Sequence, residues 1–188
     1  VSPLVKTSMY GIKSKYEFWK DYIDNKLITP IDWLKELIPY CASKGLDVIT
    51  TAHSIRSAEQ CLKFGVKRLK VASMDCNYLP FIDDLSRLDV PILLSTGMAN
   101  KQEICEAVDT AKKYGSGELV LLHCVSGYPA EPKEYNLKTM RDMSTTFEIN
   151  VGLSDHTVSN VTSIASVALG AVMIEKHITL DRNAGGPD

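Results

Sequence analysis

A chain of 188 residues, 45% hydrophobic, can bury one core of ordinary size, and its 21 basic and 23 acidic residues, in no long block of one sign, leave a formal charge of −2 that gives nucleic acid or an anionic membrane nothing to hold. No apolar run is long enough to span a bilayer and the amino terminus has no charged-then-apolar leader, so a cytoplasmic protein of one domain, residues 1–188, acting on small molecules is expected. The five cysteines, Cys41, Cys61, Cys76, Cys105 and Cys124, are odd in number and form no C-x-x-C pair, which argues for reduced, mostly buried thiols and against a cysteine zinc site.

Residues Val1 to Lys13 show no clear period and read as a loop or the trailing part of something larger. Tyr16, Phe18, Trp19 and Tyr22 fall at helical spacing. Thr29-Pro30 then sets a cap and a first-turn proline before a second helix carried by Trp33, Leu34, Leu37, Ile38 and Cys41, with Gly45 as its stop. The aromatic residues of both helices are read as core. From Leu46 onward a rhythm begins. Strand-like runs occur at Leu46–Thr51, Arg68–Ser73, Val90–Thr96, Leu119–Cys124, Asn150–His156 and Ala171–His177. The helices between them begin at capping boxes (Ser57 with Gln60, Asn100 with Glu103), at Pro80 in a first turn, and at Asn136 before Leu137, Met140 and Met143; Gly65, Gly115 and Gly170 end three of them. Strand and helix alternate every 20 to 30 residues or so, the repeat of βαβ units and hence of a parallel α/β sheet.

No G-x-G-x-x-G or G-x-x-x-x-G-K-[ST] follows any strand, which removes the usual nucleotide signatures of an open doubly wound sheet. Instead every strand ends in polar residues: Thr50-Thr51, Lys70 with Ser73 and Asp75, Ser95-Thr96, His123 with Ser126 and Tyr128, Ser154 with His156, Glu175 with His177. Polar groups sent from all strand ends to one point are what a TIM (β/α)8 barrel produces. Six strands can be counted, so the chain reads as such a barrel lacking its first two strands.

The last forty residues carry the sharpest signal. Side chains alternate along a strand, so Gly152, Ser154 and His156 share one face, as do Ala171, Met173, Glu175 and His177. Two histidines ending adjacent parallel strands could share one divalent metal through their imidazoles; the competing reading is that each merely caps its strand. Lys176 has the opposite parity to His177.

Five phrases in order then carry a resemblance: Lys70-Val71-Ala72-Ser73-Met74-Asp75, Leu94-Ser95-Thr96-Gly97-Met98, His123-Cys124-Val125-Ser126-Gly127-Tyr128-Pro129, Gly152-Leu153-Ser154-Asp155-His156-Thr157, and Glu175-Lys176-His177-Ile178-Thr179 running into Gly186-Pro187-Asp188. Together they resemble the sialic acid synthase family, N-acetylneuraminate synthase with the legionaminate and pseudaminate synthases. These transferases condense phosphoenolpyruvate with an N-acetylated amino sugar such as N-acetylmannosamine. The resemblance implies a metal site at His156 and His177, holding Mn2+ or Mg2+, and substrate binding by Lys70, Thr51, Ser73, Ser95, Ser126, Tyr128, Ser154 and Asp188. It also implies catalytic roles for His177 and for Asp75, which stands where many members place a glutamate that handles the attacking water. Ala52-His53 departs from the Pro-Phe common in the family, and Ser126 stands where some members carry asparagine. The family's first two strands and its small C-terminal, antifreeze-like domain have no counterpart here, so an isolated fragment is expected to be inactive and the full-length protein a homodimer. Two readings stay open beside this one: a Schiff-base aldolase using Lys70, and a non-catalytic module that binds metal or phosphoenolpyruvate.

Overall fold

The computed structural model describes residues 30–114 and 117–183. Within them six strands, β1 (Ile49–Thr51), β2 (Arg68–Val71), β3 (Ile92–Ser95), β4 (Leu119–Cys124), β5 (Asn150–Asp155) and β6 (Ile174–Lys176), form one sheet in sequence order. Every neighbouring pair is parallel. The helices that alternate with them are α1 (Leu34–Ser43), α2 (Ile55–Lys63), α3 (Leu79–Ser86), α4 (Lys101–Lys112), α5 (Lys138–Phe147) and α6 (Val161–Ala168). The sheet is curled into a partial TIM barrel, enough for Lys70 of β2 to reach Glu175 of β6 with four strand-to-strand steps between them.

The register sorts the side chains into two layers. Thr51 pairs with Lys70, Lys70 with Leu93, Ser95 with Leu122, Cys124 with Ser154, and Ser154 with Glu175, so these residues share the concave face. There Leu93, Val120 and Leu122 form a small apolar cluster with Met173 packed against it. The opposite parity, Leu69, Val71, Ile92, Leu94, Leu121, Val151 and Leu153, points outward and joins Phe81, Ile82, Leu85, Ala107, Val108, Met140 and Met143 from the helices in the main core. This is why the strands read as nearly unbroken apolar runs: one face is buried under helices and the other in the barrel interior.

Most expected elements are present but shorter. The strands at Leu46, Val90 and Ala171 begin three, two and three residues later than the apolar runs do, because only the paired residues belong to the ladder. Asn100 caps α4 in a full capping box with Glu103, and Pro80 sits in the first turn of α3. Gly45, Gly65 and Gly170 follow their helices with φ of +75°, +102° and +97°, the left-handed stop that glycine adopts without strain.

Three local expectations fail. Ser54, not Ser57, caps α2: its extended backbone turns the chain into the helix earlier, and its hydroxyl accepts from the Ser57 amide. Asn136 is no cap; it takes a positive φ and its side chain donates to the Glu134 carbonyl instead. Trp33, expected in the core, lies in a 3-10 turn before α1 and is exposed, as is Leu37, leaving Ile38 as the buried residue of that helix. The expected helix from Tyr16 to Tyr22, the cap at Thr29 and the stop at Gly115 lie outside the described residues.

Candidate active site at the carboxyl ends of the strands

β5 and β6 bring the two histidines together. His156 follows the last paired residue of β5 and His177 the last of β6, and their ring centroids are 5.1 Å apart and nearly perpendicular. Tyr128, from the loop after β4, lays its ring 4.2 Å from that of His156 and 5.6 Å from that of His177. His156 Nδ1 lies 2.7 Å from the Val125 carbonyl. A carbonyl can only accept, so Nδ1 carries the proton and Nε2 is left as the basic nitrogen, the arrangement that readies an imidazole for a metal. At His177 the protein packed around the ring lowers the pKa first, and the neighbouring His156 lowers it further. Both effects favour the neutral ring that a cation needs. Among the described residues no group of three His, Cys, Asp or Glu side chains converges as a complete cage. The two imidazoles fit an ion that completes its shell with water or substrate.

Beside the histidines a charged chain crosses the concave face. Ser154 Oγ donates to Glu175 Oε1 at 2.7 Å, Lys70 Nζ approaches that oxygen at 3.4 Å, and Ser154 Oγ lies 3.5 Å from His156 Nε2. Lys70 and Glu175 are mostly shielded, with side chains 15% and 32% exposed, so this is a lysine whose charge is directed into the barrel. Glu175 shares a strand face with His177 in the sequence pattern but is not among the expected site residues; its contacts with Lys70 and Ser154 put it at the centre.

The end of β3 contributes a second group. The Gly97 amide donates to Ser73 Oγ at 3.1 Å, and a Cβ added at Gly97 would lie 2.9 Å from both the Cys124 carbonyl oxygen and Ser126 Oγ. The glycine therefore lets the turns after β2, β3 and β4 close on one another, bringing Ser73 and Ser126 together. Ser95 is 1% exposed and its hydroxyl has no hydrogen-bond partner among the described residues. A buried hydroxyl on the concave face with nothing to bond is costly unless something else fills the site. Thr51 sits opposite Lys70 in the register but is exposed. Asp75 closes a 3-10 turn beyond β2 and accepts from His53 Nδ1 at 2.7 Å. Asp188 lies outside the described residues.

The outward parity holds a different set. His123, counted among the polar strand ends, points away from the site and bonds the Tyr135 carbonyl through Nε2; its pKa is lowered by burial, which the bond to Tyr135 partly offsets. Lys176 likewise faces out, donating to Asp155 Oδ2 and to the carbonyls of Thr157 and Ser159. Burial alone would raise the Asp155 pKa, but bonds from Ser163, Lys176 and Thr157 outweigh it and hold it below the ordinary value. Tyr135, which no pattern singled out, is fully buried; its hydroxyl donates to the Ser154 carbonyl and accepts from the His156 amide at 2.6 Å. Burial pushes its pKa up to about 12, so it remains a phenol. A recess of about 440 Å3 lined by Lys112, Gly117, Leu119, Ser144, Glu148, Ile149 and Asn150 opens at the other end of the strands, away from these groups.

The sequence profile of the NeuB family matches residues 5–188. The chain is 41% identical over 156 residues to the N,N'-diacetyllegionaminic acid synthase of Campylobacter jejuni, covering 82% of this chain and 47% of that protein. Among solved structures it is similar to the N-acetylneuraminic acid synthetase of Leptospira borgpetersenii in complex with citrate (TM-score 0.78, 30% identity, 82% of this chain and 54% of that one). It is also similar to the spore coat polysaccharide biosynthesis protein SpsE of Bacillus subtilis (TM-score 0.81, 33% identity, 86% and 46%). The chain thus spans about half the length of the curated relatives it matches.

Proposed function

The chain belongs to the NeuB family, and from that premise we propose that the protein carrying it condenses phosphoenolpyruvate with an N-acetylated amino sugar, such as N-acetylmannosamine, to a nonulosonic acid with release of phosphate. Several of its relatives are named as synthases of legionaminic, pseudaminic and N-acetylneuraminic acids. The observation that carries the reading is the convergence of Lys70, Glu175, Ser154, Tyr128, His156 and His177 at the carboxyl ends of strands, where parallel barrels do their chemistry.

Lys70 is the cation for the phosphate and carboxylate of phosphoenolpyruvate, with Thr51, Ser73, Ser95, Ser126, Tyr128 and Ser154 supplying hydroxyl donors around it. A charge-assisted contact plus several neutral donors suits a small, highly charged anion. Glu175 holds the ammonium in place between visits of substrate and accepts the hydroxyl proton of Ser154. His156 and His177 would hold a divalent ion, Mn2+ or Mg2+, whose Lewis acidity, when bound, polarises the aldehyde of the open-chain sugar. C3 of phosphoenolpyruvate forms the new bond to the aldehyde carbon, whose oxygen takes up a proton; water adds to the cationic C2 as Asp75 takes its proton, and the C2–O bond to phosphate breaks as the new C2 hydroxyl loses its proton to become the ketone. Among the described residues no helix is long and apolar enough to cross a membrane. A cytoplasmic location fits a reaction between phosphoenolpyruvate and a free amino sugar, and the whole protein is proposed to be a homodimer.

The test is an assay of phosphate release by the whole protein, given phosphoenolpyruvate, an N-acetylated amino sugar and manganese. His156→Ala and His177→Ala should each abolish activation by manganese. Lys70→Met should raise the KM for phosphoenolpyruvate before that for the sugar: one lost charge-assisted contact is worth about 1.5–3 kcal/mol, or roughly ten- to a hundredfold. Manganese-dependent turnover in either histidine variant, or a KM effect on the sugar alone, overturns the assignment.

A further inference from the structure

His53 and Asp75 come from different strand ends, 22 positions apart, and meet with His53 Nδ1 at 2.7 Å from Asp75 Oδ2. Each backbone is tied down on both sides. His53 stands between buried Ala52, just past β1, and Ser54, whose hydroxyl caps α2. Asp75 ends the 3-10 turn in which its own amide bonds the Ala72 carbonyl, its carbonyl accepts from Tyr78, and Ser73 is held by Gly97. The contact is therefore built from fixed positions. Its energetic value for the fold is small, because the imidazole is 55% exposed and a solvent-facing pair of this kind adds little stability. The carboxylate, by contrast, is 18% exposed and belongs to the strand end that carries Lys70 and Ser73.

Resting on the function proposed above, we propose that His53 is a positioning residue for Asp75. The imidazole N–H occupies Oδ2 and orients the short carboxylate so that Oδ1 receives the proton of the attacking water. In that step a water O–H bond breaks, its proton passes to Oδ1, and the oxygen lone pair forms the bond to C2; the imidazole keeps its own proton throughout. An aspartate has one fewer rotatable bond than a glutamate, so its reach is set by its backbone and by whatever holds the other oxygen. A fixed donor on Oδ2 converts a side chain with two equivalent oxygens into one with a defined acceptor.

The experiment uses the whole protein with manganese, phosphoenolpyruvate and N-acetylmannosamine. His53→Phe should lower kcat about ten- to a hundredfold, within the range of general-base effects, while both KM values stay within about twofold and the melting temperature is unchanged. His53→Asn, which keeps a donor near the Nδ1 position, should recover most of the loss. An unchanged kcat in His53→Phe, or equal losses in both variants, overturns the proposal while leaving the proposed reaction intact. Absence of turnover in the parent protein overturns the proposed reaction and the positioning role with it. A separate readout addresses the pairing: in 15N-histidine spectra Asp75→Asn should shift the His53 Nδ1 resonance, and an unshifted resonance overturns the proposal whatever the turnover.

Discussion

At the scale of single residues, the side chains that hold the site are as telling as those that line it. Tyr135 ties the Ser154 carbonyl to the His156 amide with one buried hydroxyl, so Tyr135→Phe strands two backbone groups and should cost about 1–3 kcal/mol. Urea denaturation reads that loss directly, and a full-stability Phe variant would show that the hydroxyl is dispensable. Asp155 makes the complementary prediction about pH. Its folded pKa lies below the ordinary aspartate value, so its contribution is fully present above that ordinary value and is lost as pH falls through the folded pKa. Asp155→Asn leaves the Lys176 ammonium without its carboxylate and should cost about 3 kcal/mol or more near neutral pH. The gap between parent and variant should close below about pH 4 in urea titrations. A gap that stays constant down to pH 2 would mean that the carboxylate's charge is irrelevant to stability. The pair histidines and Ser154 were legible from strand parity, since an alternation of faces is a property of any extended chain, whereas Lys70 was legible as a polar strand end and through the family resemblance. Glu175 and Tyr135 were not equally accessible: the first needs the partner strand to show what it touches, and the second bonds main-chain atoms, which no residue pattern records.

At the scale of elements, α4 is the segment where sequence and structure agree most closely. Asn100 accepts from the amides of Gln102 and Glu103, and Glu103 returns a bond to the Asn100 amide. Asn100→Ala should therefore cost about 1 kcal/mol, measurable as a lower urea midpoint; no change would mean that packing of Ile104, Ala107, Val108 and Ala111 alone sets the helix start. The alternation of six strands with helices was legible because buried parallel strands are apolar runs of a length that helices rarely match. Which side of a helix is buried was less legible. In α6 the small polar residues Thr162 and Ser166 face the sheet while Val161, Ile164 and Val167 are 67%, 69% and 58% exposed. The sequence contains the apolar residues but not the partner, so periodicity shows that a stripe exists and leaves open what lies against it. The cap of α2 failed for a related reason: Ser54 and Ser57 are both good caps, and the backbone conformation before the helix decides between them.

At the scale of the whole molecule, β1 and β6 each have one paired edge among the described residues, and Val158 and Val172, on either side of α6 in the chain, are 61% and 56% exposed like the apolar residues of the helix itself. Unpaired strand edges and exposed apolar side chains both promote association. Residues 1–188 produced alone should therefore elute as oligomers or aggregates, with no phosphate released from phosphoenolpyruvate and N-acetylmannosamine even with manganese; light scattering after gel filtration decides, and a monodisperse monomer with turnover would refute it. The order of the strands also has a consequence in time. Each hydrogen-bonded pair joins near neighbours in the chain, from 19 positions for Ile49 and Arg68 to 30 for Val120 and Asn150, so loop closure is never long and the sheet can grow strand by strand as the polypeptide leaves the ribosome. Lys70 and Glu175 are 105 positions apart. Their contact waits for β6, and a nascent chain released before that strand would carry five strands of the sheet with its lysine still facing no carboxylate.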